Sequence, residues 1–371
     1  MVKCQVVMEA LEKIAPRHLA EEWDNVGLLV GSPAQEVHKI IVALDVSETL
    51  VDFAVTEKYD MIISHHPLLF KPMKQLRTDL PQGRVLQKLL AANIAVFAAH
   101  TNLDIADGGV NDVLAELLGL KNIRPFAVTA EEELVKLVVF VPAEQADVVQ
   151  KALGDAGAGH IGNYSHCAFR CQGQGTFLPL AKANPFIGKP GVLEQVEEVR
   201  LETIFPERSQ NRIVRAMCKA HPYEEPAYDL YPLKNKGNVM SLGRMADLET
   251  ALPVETFSHK VKLALAADTV RLVRGGEKMV SRVALCSGSG AEFIAKAAYM
   301  GADAYVTGDV KYHEAQRAAE LGLHLIDAGH FATETPVVPV LAEKLKAIAA
   351  AGKWKVEISA DTTGTDPFEF I

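Results

Sequence analysis

Four apolar runs in this 371-residue chain each end in residues able to bind a metal ion. MIIS is followed by His65 and His66, IAVFAA by His100, Thr101, Asn102 and Asp104, AYVT by Asp309 and His313, and LHLID by His330 and Glu334. Imidazole nitrogen mixed with carboxylate oxygen suits zinc, manganese, iron, cobalt or nickel, whereas calcium and magnesium prefer oxygen alone. His330 and Glu334 are four apart, so a helix starting near His330 puts both on one face, within reach of one ion. Adjacent His65 and His66 diverge in an extended loop, which suits two neighbouring ions better than one. Glu334 is the candidate bridging carboxylate, and Asp104 completes one coordination sphere. The expected ligand set is therefore His65, His66, Asp104, His330 and Glu334, holding two divalent ions per chain. Asp309 and His313 are the candidate catalytic pair, orienting a ligand or carrying a proton. The bland alternatives are a His-His turn, a helix-capping Asp309 and a surface His313.

The elements that must position these residues follow from periodicity. From Lys39 onward, IIVAL, VSETLVDFAVTEK, MIIS, a helix near Gly83 to Ala92, and IAVFAA read as β-α-β-α-β. After about Arg282 the pattern recurs: VALC, AEFIAKAAYM, AYVT, HEAQRAAEL, LHLID and the helical TPVVPVLAEKLKAI. The fold class is α/β, with two parallel-sheet segments. They read equally as distant internal duplicates or as two independent doubly wound segments. Doubly wound sheets gather ligands beyond the carboxyl ends of their strands, and every candidate above falls there.

Between about 125 and 236 the texture changes. ELVKLVVFVP, AEQADVVQKALGDAG, HCAFRCQG, QVEEVRLETIFP, RSQNRIVRAMCKAHP and PAYDLYPL suggest β-α-β-β-α-β, a ferredoxin-like α+β insertion. The expected division is 1–124 and 237–371 for one metal-binding domain and 125–236 for the insertion. TFLPLAKANPFIGKPG reads as an extended loop and KNKGN, Lys234 to Asn238, as the exit linker.

A net charge of -9 argues against nucleic acid as a partner, since phosphate binding needs a concentrated basic field. Five scattered cysteines read as reduced thiols, and acidic residues interrupt the first thirty positions, so cytoplasmic residence without a membrane span is expected. His160, His166, Cys167 and Cys171 lack the spacing of a known zinc finger. CSGSGAEF, Cys286 to Phe293, reads as a tight turn rather than a phosphate loop, and no G-x-S-x-G elbow is present.

HHPLLF (65 to 70), TNLD (101 to 104), GDVKYHEA (308 to 315) and DAGHFATE (327 to 334), with WDNVGLLVG (23 to 31), together resemble the Nif-three-like dinuclear metal-centre family. Many of its members carry the name GTP cyclohydrolase I type 2 homologue. The resemblance covers roughly 1 to 124 and 237 to 371, and implies one α/β domain with a two-metal site whose ligands fall on His65, His66, Asp104, His330 and Glu334. It further implies a toroidal homohexamer, built on trimers, and an inserted PII-like or CutA-like module whose characteristic stretch HPYEEPAYDLYPL resembles. Two functions are expected. One is a metal-dependent hydrolase acting through activated water on a nucleotide-like or phosphorylated substrate; the other is a non-enzymatic metal-responsive or regulatory hexamer.

Overall fold

Runs of Ile, Val and Ala too continuous for a half-exposed strand form, as they must, strands covered on both faces. The computed structural model describes residues 1–369 and 371 and divides them into two compact units, 1–129 with 240–371, and 130–239. The borders lie a few residues beyond the expected 124/125 and 236/237. Lys121–Pro125 pairs in a sheet of the first unit, and the strands Val128–Pro142 and Tyr228–Ser241 run through the borders themselves. The expected exit linker KNKGN is thereby corrected: Lys234 to Asn238 lie inside a strand. Ladder pairing overrides local polarity, and Gly237 permits close approach, since a Cβ there would come within 2.7 Å of Glu132 Oε2.

The first unit holds two principal sheets. One runs Glu357–Ala360, Lys39–Ala43, Met61–Ser64, Ala95–Ala98, Gly27–Val30, parallel except for the last strand. The other runs Arg271–Val273, His324–Asp327, Ala304–Thr307, Val280–Leu285, Arg244–Leu252, Lys121–Pro125, with its three parallel strands beginning from His324–Asp327. Each therefore contains three consecutive parallel strands in chain order joined by helices, the same strand-helix-strand topology twice over.

Period-two alternation divides each sheet between two cores. Ile40, Val42, Met61, Ile63 and Phe97 face the helices Cys4–Ile14 and Val337–Ala351, while Ile41, Ile62 and Val96 face Glu48–Thr56 and Pro81–Ala91. In the second sheet Val283, Leu285, Val306 and Ile326 face Val254–Ala264, and Ala284, Tyr305 and Leu325 face Ile294–Tyr299 and Tyr312–Glu320. The helix Val110–Leu117 serves both halves, giving Val110 and Val113 to one core and Leu114 and Ala115 to another. Local chemistry starts these helices: Ser47 Oγ accepts the Leu50 amide N–H at 3.1 Å, and Pro81 takes the first helical position. The expected helix over AEFIAKAAYM is shorter than its pattern, opening with a 3-10 turn at Ala291–Phe293. The preceding Gly290 is held by other partners, its N–H donating to Thr307 Oγ1 and its carbonyl accepting from the Tyr305 hydroxyl.

The second unit has the order β-α-β-β-α-β, with helices Ala146–Asp155 and Gln210–Ala220. Its sheet runs Tyr228–Ser241, Val128–Pro142, Glu194–Pro206, Phe169–Phe177, which is the ferredoxin-like topology. Val135, Leu137, Val139, Leu201 and Phe205 meet Val149, Leu153, Ile213 and Met217 in its core. The 178–193 stretch forms neither helix nor strand.

Candidate metal centre

Two adjacent histidines end the strand Met61–Ser64, and their ring nitrogens have separate partners. His65 is almost wholly buried, and its Nδ1–H donates to the Ala99 carbonyl at 2.9 Å. Its Nε2 is left with a lone pair and, among the described residues, no hydrogen-bond partner. That nitrogen lies 3.6 Å from Asp104 Oδ1 and 3.8 Å from Glu334 Oε1, too far for hydrogen bonds. The spacing is close to the edge, about 3.4 Å, of a tetrahedron with bonds of about 2.1 Å.

His66 turns toward the other half of the unit. Its Nδ1 pairs with Asp45 Oδ1 at 2.7 Å, and its Nε2 faces Glu334 Oε2 at 2.9 Å. His330 mirrors it, with Nδ1 on Asp309 Oδ2 at 2.8 Å and Nε2 3.1 Å from the same Glu334 oxygen. The two Nε2 atoms lie 3.3 Å apart. With each Nδ1–H given to a carboxylate, both Nε2 atoms point into the same space, and once deprotonated they present lone pairs to a cation between them. Glu334 and His330 come from the five-residue helix His330–Glu334, so the four-residue spacing does deliver both to one face.

A fourth imidazole joins them. His65, His66 and His100 offer ligand atoms within 4.8 Å of one another, as do His66, His330 and Glu334, and His65, Asp104 and Glu334. His100 Nδ1 is held by Asp24 Oδ1 at 2.9 Å, while Asp24 Oδ2 accepts from the Thr101 amide at 3.0 Å. His100 and Asp104 stand four apart at the end of one half, as His330 and Glu334 do at the end of the other. The loop Ser287–Gly288 closes the floor: Ser287 Oγ approaches Asp104 Oδ1 at 3.5 Å. Gly288 has φ +60°, and a Cβ there would meet Glu334 Oε1 at 2.1 Å, so only glycine fits beneath the carboxylate.

The electrostatics follow from burial and charge. Burial opposes ionisation of Glu334, yet His330 and His66 at hydrogen-bond distance, with the His65 ring nearby, outweigh it and hold the carboxyl well below its usual range. For His66, burial is likewise overcome by Asp45 and Glu334, and its pKa rises to about 10. Glu334 first, against burial and with help from Asp309, raises His330 to about 9. Burial pushes Asp104 up, with His65 opposing. Asp24 drops to about 2 because its bonds to His100 and Thr101 overcome burial. In the metal-free chain, protons therefore stand where cations would, and the donor set, the orphaned His65 nitrogen and the buried carboxylates fit divalent metal.

The family model Duf34/NIF3 (NGG1p interacting factor 3) matches residues 2–367. The chain belongs to this family. Over 367 residues it is 45% identical to a GTP cyclohydrolase 1 type 2 homolog of Halalkalibacterium halodurans, covering 99% of this chain and 98% of that one. A Bacillus subtilis protein of the same name is 44% identical over 370 residues, 100% of this chain and 99% of its own. Among solved structures, a Bacillus cereus protein related to NIF3 superposes with a TM-score of 0.92 at 44% identity, over 100% of this chain and 99% of that one. Staphylococcus aureus protein SA1388 does so at 0.82 and 31%, with the same coverage.

Within this NIF3 chain the five residues expected as ligands all lie in the groups just described. Asp309 touches His330, an orienting position. His313, expected beside Asp309 as a proton carrier and not as a ligand, lies in none of these groups; its Nδ1 pairs with Gln316 Oε1 at 3.0 Å, and its ring packs edge-on against exposed Tyr312. It occupies the first turn of the helix Tyr312–Glu320 after Asp309 has already turned the chain with φ +54°. Sequence reasoning placed His100 among the strand-end candidates but left it out of the ligand set, and it passed over Asp45 and Asp24. The signal for His100 was available in the repeat of H-x-x-x-D and H-x-x-x-E at two strand ends; Asp24 and Asp45 carry no such spacing. The five cysteines are free thiols, and burial raises Cys286, which keeps it protonated beside Asp104 and Glu334. No helix among the described residues is long and apolar enough to cross a membrane.

Proposed function

We propose that this NIF3-family chain holds two divalent ions in one pocket and works as a metal-dependent hydrolase on a nucleotide-like or phosphorylated substrate. His65, Asp104 and Glu334 would hold one ion and His66, His330 and Glu334 the other, with Glu334 shared. The observation that carries the reading is the buried, unpartnered His65 Nε2 directed at two buried carboxylates. Ions so held supply Lewis acidity toward water and toward phosphoryl or carbonyl oxygen. The chain's own residues do the rest. Asp45, Asp309 and the Ala99 carbonyl fix the tautomer and tilt of three imidazoles through Nδ1, and Asp24 fixes His100. The cyclohydrolase name of the relatives puts purine nucleotides first in a substrate screen, and assembly as a homohexamer built on trimers belongs to the same proposal.

A second, regulatory reading is favoured by one feature of the inserted unit. A cavity of about 800 Å³ there is lined by Arg208 paired with Glu132, Lys136 paired with Glu202, Lys236 paired with Glu131, and Arg212. That volume suits a small organic ligand, and Arg212 offers a cation to an anionic group on it, among residues other than the metal ligands.

Elemental analysis of the purified wild type beside Glu334→Ala tests the centre: about two ions per chain in the former, as a two-metal site requires, and a large drop in the latter. Release of formate or phosphate from nucleotides, lost with the metal, supports the hydrolase. Full metal content without turnover of any substrate favours the regulatory reading, and no restorable metal removes the hydrolase and leaves a binding assembly built on the inserted unit.

A further inference from the structure

Trp23 and Phe70 are large apolar side chains left 59% and 46% exposed, and they stand at the metal pocket rather than scattered over the surface. Their rings meet edge-on with centroids 5.8 Å apart at 65°, and each also meets the ring of His100, Trp23 at 6.0 Å and Phe70 at 6.2 Å. His100 in turn lies 5.2 Å from His65 and 5.7 Å from His66. The aromatic wall is thus one ring removed from the candidate ligands.

The wall is held in place from behind. Asp24, next in sequence to Trp23, anchors His100 Nδ1 and the Thr101 amide and accepts from the Thr101 hydroxyl at 2.5 Å. The Asn25 side-chain amide donates to the Leu69 carbonyl at 2.5 Å, tying the loop before Phe70 to the loop after Trp23. These part-buried bonds hold the chain beside both exposed aromatics, and the two rings meet each other and His100, so less freedom remains to be lost when a planar ligand binds. Lys71 and Lys74, exposed on the loop that carries Phe70, add positive charge for a phosphorylated ligand.

We propose that Trp23 and Phe70 form the ring-binding wall of the metal pocket and select substrates that carry a planar heteroaromatic ring. This rests on the hydrolase reading above and deepens it by naming the part of the substrate that these residues recognise. Stacking on such a surface tolerates the identity of the ring, so the selection is for aromatic over non-aromatic phosphate compounds.

The test uses the full-length, zinc-loaded protein and two probes, guanosine monophosphate and ribose 5-phosphate. Calorimetry is expected to show the ring-bearing probe binding roughly 5- to 150-fold tighter. Trp23→Leu should abolish that advantage at unchanged metal content, and Trp23→Phe should keep part of it. The chain has two tryptophans, so a Trp354→Phe background leaves Trp23 as the sole emitter, and guanosine monophosphate alone should quench it. Equal binding of the two probes, or a ring preference that survives Trp23→Leu, overturns this inference and leaves the hydrolase reading standing. Failure of both probes to bind overturns both. A Trp23 that acrylamide cannot reach in the ligand-free protein also overturns it, because the wall would then be covered by a second copy of the chain.

Discussion

Replacing Asp309 by asparagine asks whether the two halves of the pocket bind metal independently. Asp309 adopts φ +54°, a left-handed conformation that asparagine tolerates, so the backbone need not move. The amide oxygen can still accept from His330 Nδ1, where the 2.8 Å bond now runs to a carboxylate. What disappears is the charge. Charge-assisted hydrogen bonds are roughly twice as strong as neutral ones, which puts the loss near 1 to 1.5 kcal/mol, or about 5- to 12-fold in affinity. The loss should fall on one ion only. His330 belongs to the group with His66 and Glu334, whereas His65 is oriented by the neutral Ala99 carbonyl and is untouched. A zinc titration with a competing chelator should resolve two steps, one weakened about tenfold and the other unchanged. Equal weakening of both steps would refute the division into two separately oriented halves, and no change in either would refute the orienting role of Asp309.

Four further outcomes are expected. Because His66 and His330 carry protons up to about pH 10 and 9 in the metal-free chain, metal must displace those protons: zinc uptake near pH 7.5 should release acid into a weakly buffered dye solution, and affinity should climb from pH 6.5 to 9. For the same reason the metal-free chain draws stability from those charged rings that is complete below about pH 6.5 and fades as pH rises through 9 to 10. Thermal unfolding across that window should show the decline, and a flat profile would count against the pairing with Glu334. Gly288→Ala forces a Cβ against Glu334 and an unfavourable φ, so metal content should fall sharply with about 1 to 3 kcal/mol of stability, checked by elemental analysis and urea unfolding. Arg244→Met removes a buried guanidinium bonded to Asp112 and to the carbonyls of Ser241, Ile105 and Ala106; leaving Asp112 unpaired should cost about 3 to 5 kcal/mol in the same urea assay.

Sequence alone determined what is local or periodic. Apolar runs such as IIVAL and MIIS fixed the strands, their lengths fixed that both faces are covered, and the placement of His65, His66, Asp104, His330 and Glu334 just past strand ends put them at one edge. The four-residue spacing of His330 and Glu334 was legible because a single turn of helix enforces it. The tertiary structure alone decided which groups meet. Asp24 reaches His100 across 76 positions of sequence, and His66 reaches Glu334 across 268; no periodicity encodes such pairings, which depend on how the two sheets are set around the shared helix Val110–Leu117. The same holds in reverse for KNKGN. Its residue types suggested a linker, but a ladder captured it, because long-range pairing sets the final state of a polar segment.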